Sequence, residues 1–191
     1  KGYFASDEVS YAISLATDRK SISSDCLDSL GDIAWQPFNL NWCELENKDI
    51  KKDIYSSSAA HDIFTKHGIT LSGSKLTWKG SPLELTVICN NENRIRVRIA
   101  NAVAESLREM GFTVNVVLYN WNDYKKVIAS GNYDIYIAET DVPANFDIRY
   151  MFSDGVVNTQ SGVSQNFLSA LDGFYSGNTD AASLFSSFTS E

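Results

Sequence analysis

The sequence predicts an α/β fold with a βαβαβ core sheet flanked by helices, and three observations carry that prediction. Strand-like and helix-like periodicities alternate between Leu83 and Glu139, glycines stand where the helices should end, and the connections are short. Strand–helix–strand–helix–strand with short links implies a parallel sheet joined by right-handed crossovers. A length of 191 residues fits a single domain, 1–191, whose core needs no disulfide or metal staple.

The elements follow in order. Asp7 can cap a first helix with Val9, Ala12, Ile13 and Ala16 along one face, and Ser21–Asp25 suggests a second helix start. From Gly31 to Lys52 periodicity fades around Trp35, Pro37, Phe38 and Trp42. A loop that long is usually functional or specially packed. Ser57–Lys66 resumes helical spacing through Ala60, Ile63 and Phe64, closed by Gly68. Leu71–Ser74 reads as a turn, Lys75–Trp78 as a short strand and Lys79–Pro82 as another turn.

Leu83–Cys89 reads as a strand. Asn93 can cap a long helix whose apolar face is Ile95, Ile99, Val103, Leu107 and Met110, with Gly111 at its end. Phe112–Tyr119 is a valine-rich strand, Asn122–Ser130 a helix ending at Gly131, and Tyr133–Glu139 a third strand. Beyond Asp147, a helical turn at Ile148–Phe152 and helices within Val163–Tyr175 and Ala181–Phe188 are expected.

Composition excludes several functions. With 16 Lys and Arg against 24 Asp and Glu, the net charge of -8 disfavours nucleic acid as a partner, because that affinity comes from basic side chains displacing counterions. Arg94, Arg96 and Arg98 alternate along a helix, and with Arg108 they read as a solvated face. No apolar run reaches the ~20 residues of a membrane span. Three scattered cysteines (Cys26, Cys43, Cys89) and two histidines (His61, His67) offer no zinc spacing, so no metal is expected. One cysteine pair can form a disulfide outside the cell. The first residue is Lys1, and no signal peptide or lipidation motif is present, so an exported parent would carry its address upstream.

Catalytic motifs are also missing. The turn after Cys89 has no glycine with which to approach a pyrophosphate, and Gly68–Lys75 has the Ser-Lys order reversed from a P-loop and precedes a strand. No GxSxG elbow appears. No cofactor and no catalytic residue are therefore expected.

What the sheet provides is a place. In open α/β sheets, ligands bind outside the carboxyl ends of the strands. Those ends present Asn90, Asn91 and Arg94; Trp121 and Asn122; and Glu139, Thr140, Asp141 and Asn145. Amides, one aromatic ring and a few acids suit a polar ligand with an ammonium or peptide backbone. Asn93, Asn122 and Asp147 also read as helix caps.

Four stretches, in order, resemble one family. Phe4–Arg19 is similar to the helix "F-x-D-x-x-V-R-x-A-I-x-x-A-I-D-R", with Ser10 where Arg is usual and Thr17 where Ile is usual. Ser58–Gly68 looks like "A-x-x-L-L-x-x-A-G", Arg96–Trp121 carries the spaced Ala, Leu, Gly, Val and Trp of the next block, and Gly131–Tyr136 matches "G-x-Y-D-x-x". The family is the family 5 extracellular solute-binding proteins, the oligopeptide and dipeptide binders of ABC importers. The resemblance implies a periplasmic-binding-protein-like (class II) fold of two lobes closing over a peptide, with this chain as the second lobe. It further implies ABC permease subunits as partners, an extracytoplasmic location with membrane attachment only through an anchor outside the segment, a monomer and no enzymatic activity. An acid after the "Y-D" pair would receive the peptide amino terminus, with Asp141 nearest and Glu139 competing. Nickel chelates and sugars are other ligands of the family, and scarce histidine argues against metal. Two rival readings are a small hydrolase-like enzyme using Glu139 and Asp141, and a stand-alone interaction domain using the Trp35–Trp42 loop.

Overall fold

The computed structural model describes residues 6–34, 55–143, 147–153 and 164–189. Trp35, Pro37, Phe38, Trp42 and Cys43 lie outside the described residues, as does Asn145. By contacts the chain falls into two compact units, Lys1–Ile33 with Asp53–Glu139, and Ala34–Lys52 with Thr140–Glu191.

The first unit contains α1 (Asp7–Leu15), α2 (Arg19–Leu27), α3 (Ser57–Lys66), β1 (Ile69–Ser72), β2 (Lys75–Trp78), β3 (Ser81–Pro82), β4 (Glu84–Asn90), α4 (Arg94–Glu109), β5 (Thr113–Tyr119), α5 (Trp121–Ser130) and β6 (Ile135–Ile137). The second contains α6 (Tyr150–Ser153), α7 (Gln165–Tyr175) and α8 (Ala181–Thr189). Among the described residues no helix is long and apolar enough to cross a membrane.

Local chemistry sets the boundaries. Asn93 is extended, and its Oδ1 accepts from the amides of Ile95 and Arg96, so α4 starts where a capping asparagine should start it. The chain then turns at Gly111, whose φ is +104°. A Cβ there would lie 3.0 Å from the Leu76 nitrogen and 3.1 Å from the Ser74 carbonyl oxygen, so both the dihedral and the close approach require glycine. The Leu76 amide donates to the Gly111 carbonyl across that approach.

Several boundaries differ from expectation. Asp7 does not cap α1; Ser6 holds the cap position without a side-chain bond, and Asp7 lies in the first turn, where its charge favours the helix dipole. The second helix starts at Arg19, before the serines of Ser21–Asp25, because Asp18 accepts from the Lys20 and Ser21 amides. Residues expected in a turn pair as strands: β1 runs antiparallel to β2 from Ile69↔Trp78 to Ser72↔Lys75, and β3 pairs with β2. The buried face of α4 is Ala100, Ala104 and Leu107 with Met110, while Ile95 is 46% exposed. The expected stripe follows the larger side chains; the close packing of helix on sheet selects the smaller ones. The arginines are also individually engaged. Arg96 pairs with Glu139, Arg98 donates to the Asp25 carbonyl and Arg108 to that of Val114, while Arg94, Arg98 and Arg108 all stay exposed, as a solvated face requires.

The main sheet is parallel in the order β5-β4-β6. Leu85, Val87 and Cys89 join one core with Ala100, Ala104 and Leu107 of α4, and with Val9, Phe64 and Phe112. Ile88, alternating with them, lies outside that cluster on the sheet's other face, the side to which a right-handed crossover carries α5. Cys26 and Cys89 are buried free thiols. The second unit has its own core, Ile148, Phe167, Leu171 and Leu184.

Candidate ligand-binding face

Parallel register brings three strand ends together. Asn90 of β4 aligns with Tyr119 of β5, and Cys89 aligns with Ile137 of β6. The chain leaves β4 for β5 on one side and then returns to β6 on the other. Such a reversal of direction is the switch point at which doubly wound sheets open a crevice, here between β4 and β6.

The turn after β4 is braced from within. Asn90 is 2% exposed; its Oδ1 accepts from the Glu92 amide at 3.2 Å and its Nδ2 donates to the Tyr119 carbonyl at 3.4 Å. The Asn91 amide donates to the same carbonyl at 2.9 Å. Asn90 is therefore a structural post of the turn, whereas Asn91 and Arg94 are exposed beside it.

Trp121 opens α5, with its amide donating to Glu92 Oε1 at 2.9 Å. Its ring is 41% exposed, stacks on Tyr124 at 6.0 Å between centroids, and has Lys125 Nζ 5.7 Å from its centroid. Tyr124 is buried and donates its hydroxyl to the Ile137 carbonyl at 2.7 Å, and burial pushes its phenol well above the usual range. Glu92, Trp121, Tyr124 and Ile137 thus tie the three strand ends into one surface. Asn122, expected as a possible cap, lies inside the helix; Asn120 caps it, accepting from the Asp123 amide at 3.0 Å. The helix begins one residue earlier because Asn120 is extended and already has the right geometry.

After β6, Glu139 Oε2 accepts from Arg96 Nε at 2.8 Å and from Asn93 Nδ2 at 3.3 Å. The cap of α4 and the end of β6 are joined by that carboxylate. Tyr136 meets Tyr133 edge-on at 5.4 Å, and burial raises its phenol. In the second unit, Tyr150 donates its hydroxyl to the Asp141 carbonyl and receives the Thr140 hydroxyl at 2.8 Å. Both Thr140 and Asp141 are exposed.

Sequence reasoning placed Trp121 and Glu139 at this face and missed Glu92, Arg96 and Tyr124. The Asn93-x-x-Arg96 spacing, which puts Arg96 over the capped turn, was the available signal. The face offers hydrogen-bond donors and acceptors, an aromatic ring and a carboxylate held by a guanidinium, a set suited to recognition. Among the described residues, no group of three or more His, Cys, Asp or Glu is arranged to hold a metal ion.

An α/β sheet with a polar, aromatic face at its switch point is an architecture that can hold a small ligand. The profile of the bacterial extracellular solute-binding proteins, family 5 (middle region) matches residues 1–162, and the chain belongs to this family. The oligopeptide-binding protein AppA of Bacillus subtilis (strain 168) is 28% identical over 134 residues, which are 69% of this chain and 25% of AppA. The structure of Bacillus subtilis AppA in complex with a nonapeptide superposes with a TM-score of 0.76 at 21% identity, over 98% of this chain and 39% of that one. Lactococcal OppA, complexed with an endogenous peptide in the closed conformation, gives 0.78 at 14% identity, covering 98% and 37%. NikA from Brucella suis, in complex with Fe(III)-EDTA, gives 0.77 at 18% identity, covering 96% and 38%. These structures share the periplasmic-binding-protein-like fold, and the chain spans about a quarter of the curated relative and less than two fifths of each of these solved chains.

Proposed function

We propose that this chain is one lobe of a solute-binding protein that captures oligopeptides outside the cytoplasm and presents them to the permease of an ABC importer. The observation that carries the reading is the switch-point face itself, with Trp121 and Glu139 exposed at the ends of α/β connections, in a chain related to an oligopeptide-binding protein. Asn91, Arg94, Trp121, Asn122, Glu139, Thr140, Asp141 and Asn145 are the contacts proposed for the ligand, with Asn90 bracing the turn beneath them. Asp141 is proposed as the acid that receives the peptide amino terminus. The protein acts as a monomer, without catalysis, and reaches the membrane through an anchor elsewhere in its parent.

Half of a clamp binds weakly. If the complete protein holds a peptide at ~1 μM, half that free energy corresponds to ~1 mM. Amide NMR of the chain, titrated with pooled tri- to hexapeptides at millimolar concentration, is expected to show fast-exchange shifts at Asn91–Arg94, Trp121 and Glu139–Asp141. Shifts confined to other surfaces would overturn this face as the binding site.

A further inference from the structure

A cleft of about 490 Å³ opens in the first unit where the first turns of α4 meet the end of β6, next to the switch point. That volume lies within the roughly 300–1,000 Å³ range of small-molecule sites. Its floor is apolar, made by Leu27 of α2, Ile95 and Ile99 of α4, and Tyr136 and Ala138 at the end of β6. Ile95 leaves 46% of its surface in water although it sits in the first turn of a helix with a well-buried face elsewhere. Its side chain lines the cleft instead of the core.

At the edge of the floor stand Arg96 and Glu139. Glu139 spends Oε2 on both of its bonds and Arg96 spends Nε. Among the described residues, Glu139 Oε1 and the two terminal guanidinium nitrogens of Arg96 make no hydrogen bond to another side chain. An accepting oxygen beside donating N–H groups complements a peptide backbone, which offers one N–H and one C=O per residue. The Asn93 and Arg96 bonds hold that oxygen in place, so little ordering is needed on binding.

We infer that this cleft is an apolar side-chain subsite. It takes one aliphatic or aromatic side chain of a peptide, while Glu139 accepts from a backbone N–H and Arg96 donates to a backbone C=O on either side of that residue. The inference rests on the peptide-binding reading and adds a side-chain preference to it.

The test uses the chain with ¹³C-labelled isoleucine methyls, titrated with Ala-Leu-Ala, Ala-Phe-Ala, Ala-Gly-Ala and Ala-Glu-Ala, alongside the variant Ala138→Phe. Ala138 is exposed, so the added ring enters the cleft without disturbing the core. The leucine and phenylalanine peptides are expected to shift the Ile95 and Ile99 methyls and to bind about tenfold more tightly than Ala-Gly-Ala, the gain from burying one such side chain. Ala138→Phe is expected to remove that advantage while leaving the Trp121 indole response. Equal affinity and equal methyl shifts for all four peptides, or an advantage that survives Ala138→Phe, overturns the subsite; a persisting Trp121 response then leaves the peptide-binding face standing. Silence at both the methyls and Trp121 with every peptide overturns the two together.

Discussion

The two compact units are held by different means. In the first, a continuous core joins α1, α3 and α4 to the sheet, with Phe64 edge-on to Phe112 at 5.5 Å and a β4–β5 ladder paired from Glu84↔Thr113 to Asn90↔Tyr119. In the second, among the described residues, Ile148, Phe167, Leu171 and Leu184 form a smaller core, with polar contacts beside it. Asp147 grips Arg149 through Nε at 2.9 and 3.0 Å, Arg149 reaches Asp172, and its guanidinium carbon stands 5.1 Å from the Tyr175 ring centroid. A packed core excludes alternatives through volume, whereas a small one relies on directional bonds that water, salt and protons can compete for. The first unit should therefore answer to changes in shape and the second to changes in solution.

The largest effect expected is from Phe112→Ala. Its ring is fully buried in the larger core, and removing it should cost about 3–5 kcal/mol in urea denaturation followed at the sheet amides. Leu171→Ala should fall near the low end of the roughly 2–5 kcal/mol range, because a small core collapses more readily around the gap. Equal costs at the two positions would erase the distinction.

Next is a pair of glycines. Gly111→Ala meets both a φ of +104° and backbone atoms at 3.0–3.1 Å, and is expected to cost about 1–3 kcal/mol by thermal or chemical melting. Gly177 has a φ of +74° but open space around it, so Gly177→Ala pays for the dihedral alone, about 1 kcal/mol. A Gly177→Ala cost as large as that of Gly111→Ala would show that dihedral strain, not close approach, governs both.

The smallest effect is a pH response. Hydrogen bonding from Arg149, and then its charge, hold the Asp147 carboxyl below its ordinary value. With the folded pKa below the unfolded ~3.9, the pair contributes stability above that value and loses it as pH falls through the folded pKa. Tyr175 ring signals should respond to acid below about pH 4 in the parent chain. Asp147→Asn should flatten that response, and an unchanged titration would remove the pair from the account of the second unit.

Legibility in the sequence followed the range of the interaction. Asn93, Gly111 and Gly131 act on neighbouring backbone, and each marked its helix end correctly. Ile69–Ser72 was missed as a strand because only Ile69 is buried, and its partner β2 rather than its own pattern makes it extended. Ile95 counted toward a core stripe because periodicity records hydrophobicity without depth; the sheet lies against the alanines. At the candidate site the strand ends were visible from element order, but the Arg96–Glu139 pair spans 43 positions and arises only when β4 and β6 become neighbours. Local chemistry left a clear trace in the sequence, while contacts made by topology left at most a spacing such as Asn93-x-x-Arg96.

One small feature bears on fidelity of folding. Strand β6 is three residues long, with Ile135, Tyr136 and Ile137 all half-buried and apolar on both faces. Sliding such a strand by one position would exchange one apolar side chain for another, so burial discriminates poorly between correct and shifted pairing. Asp134 supplies the missing index. Its amide donates to the Thr86 carbonyl at 3.0 Å and its Oδ2 accepts from the Thr86 amide at 2.8 Å, so a single residue reads both polar groups of one position on β4. Asp134 thus serves as an alignment mark, and it keeps Glu139 within reach of Arg96.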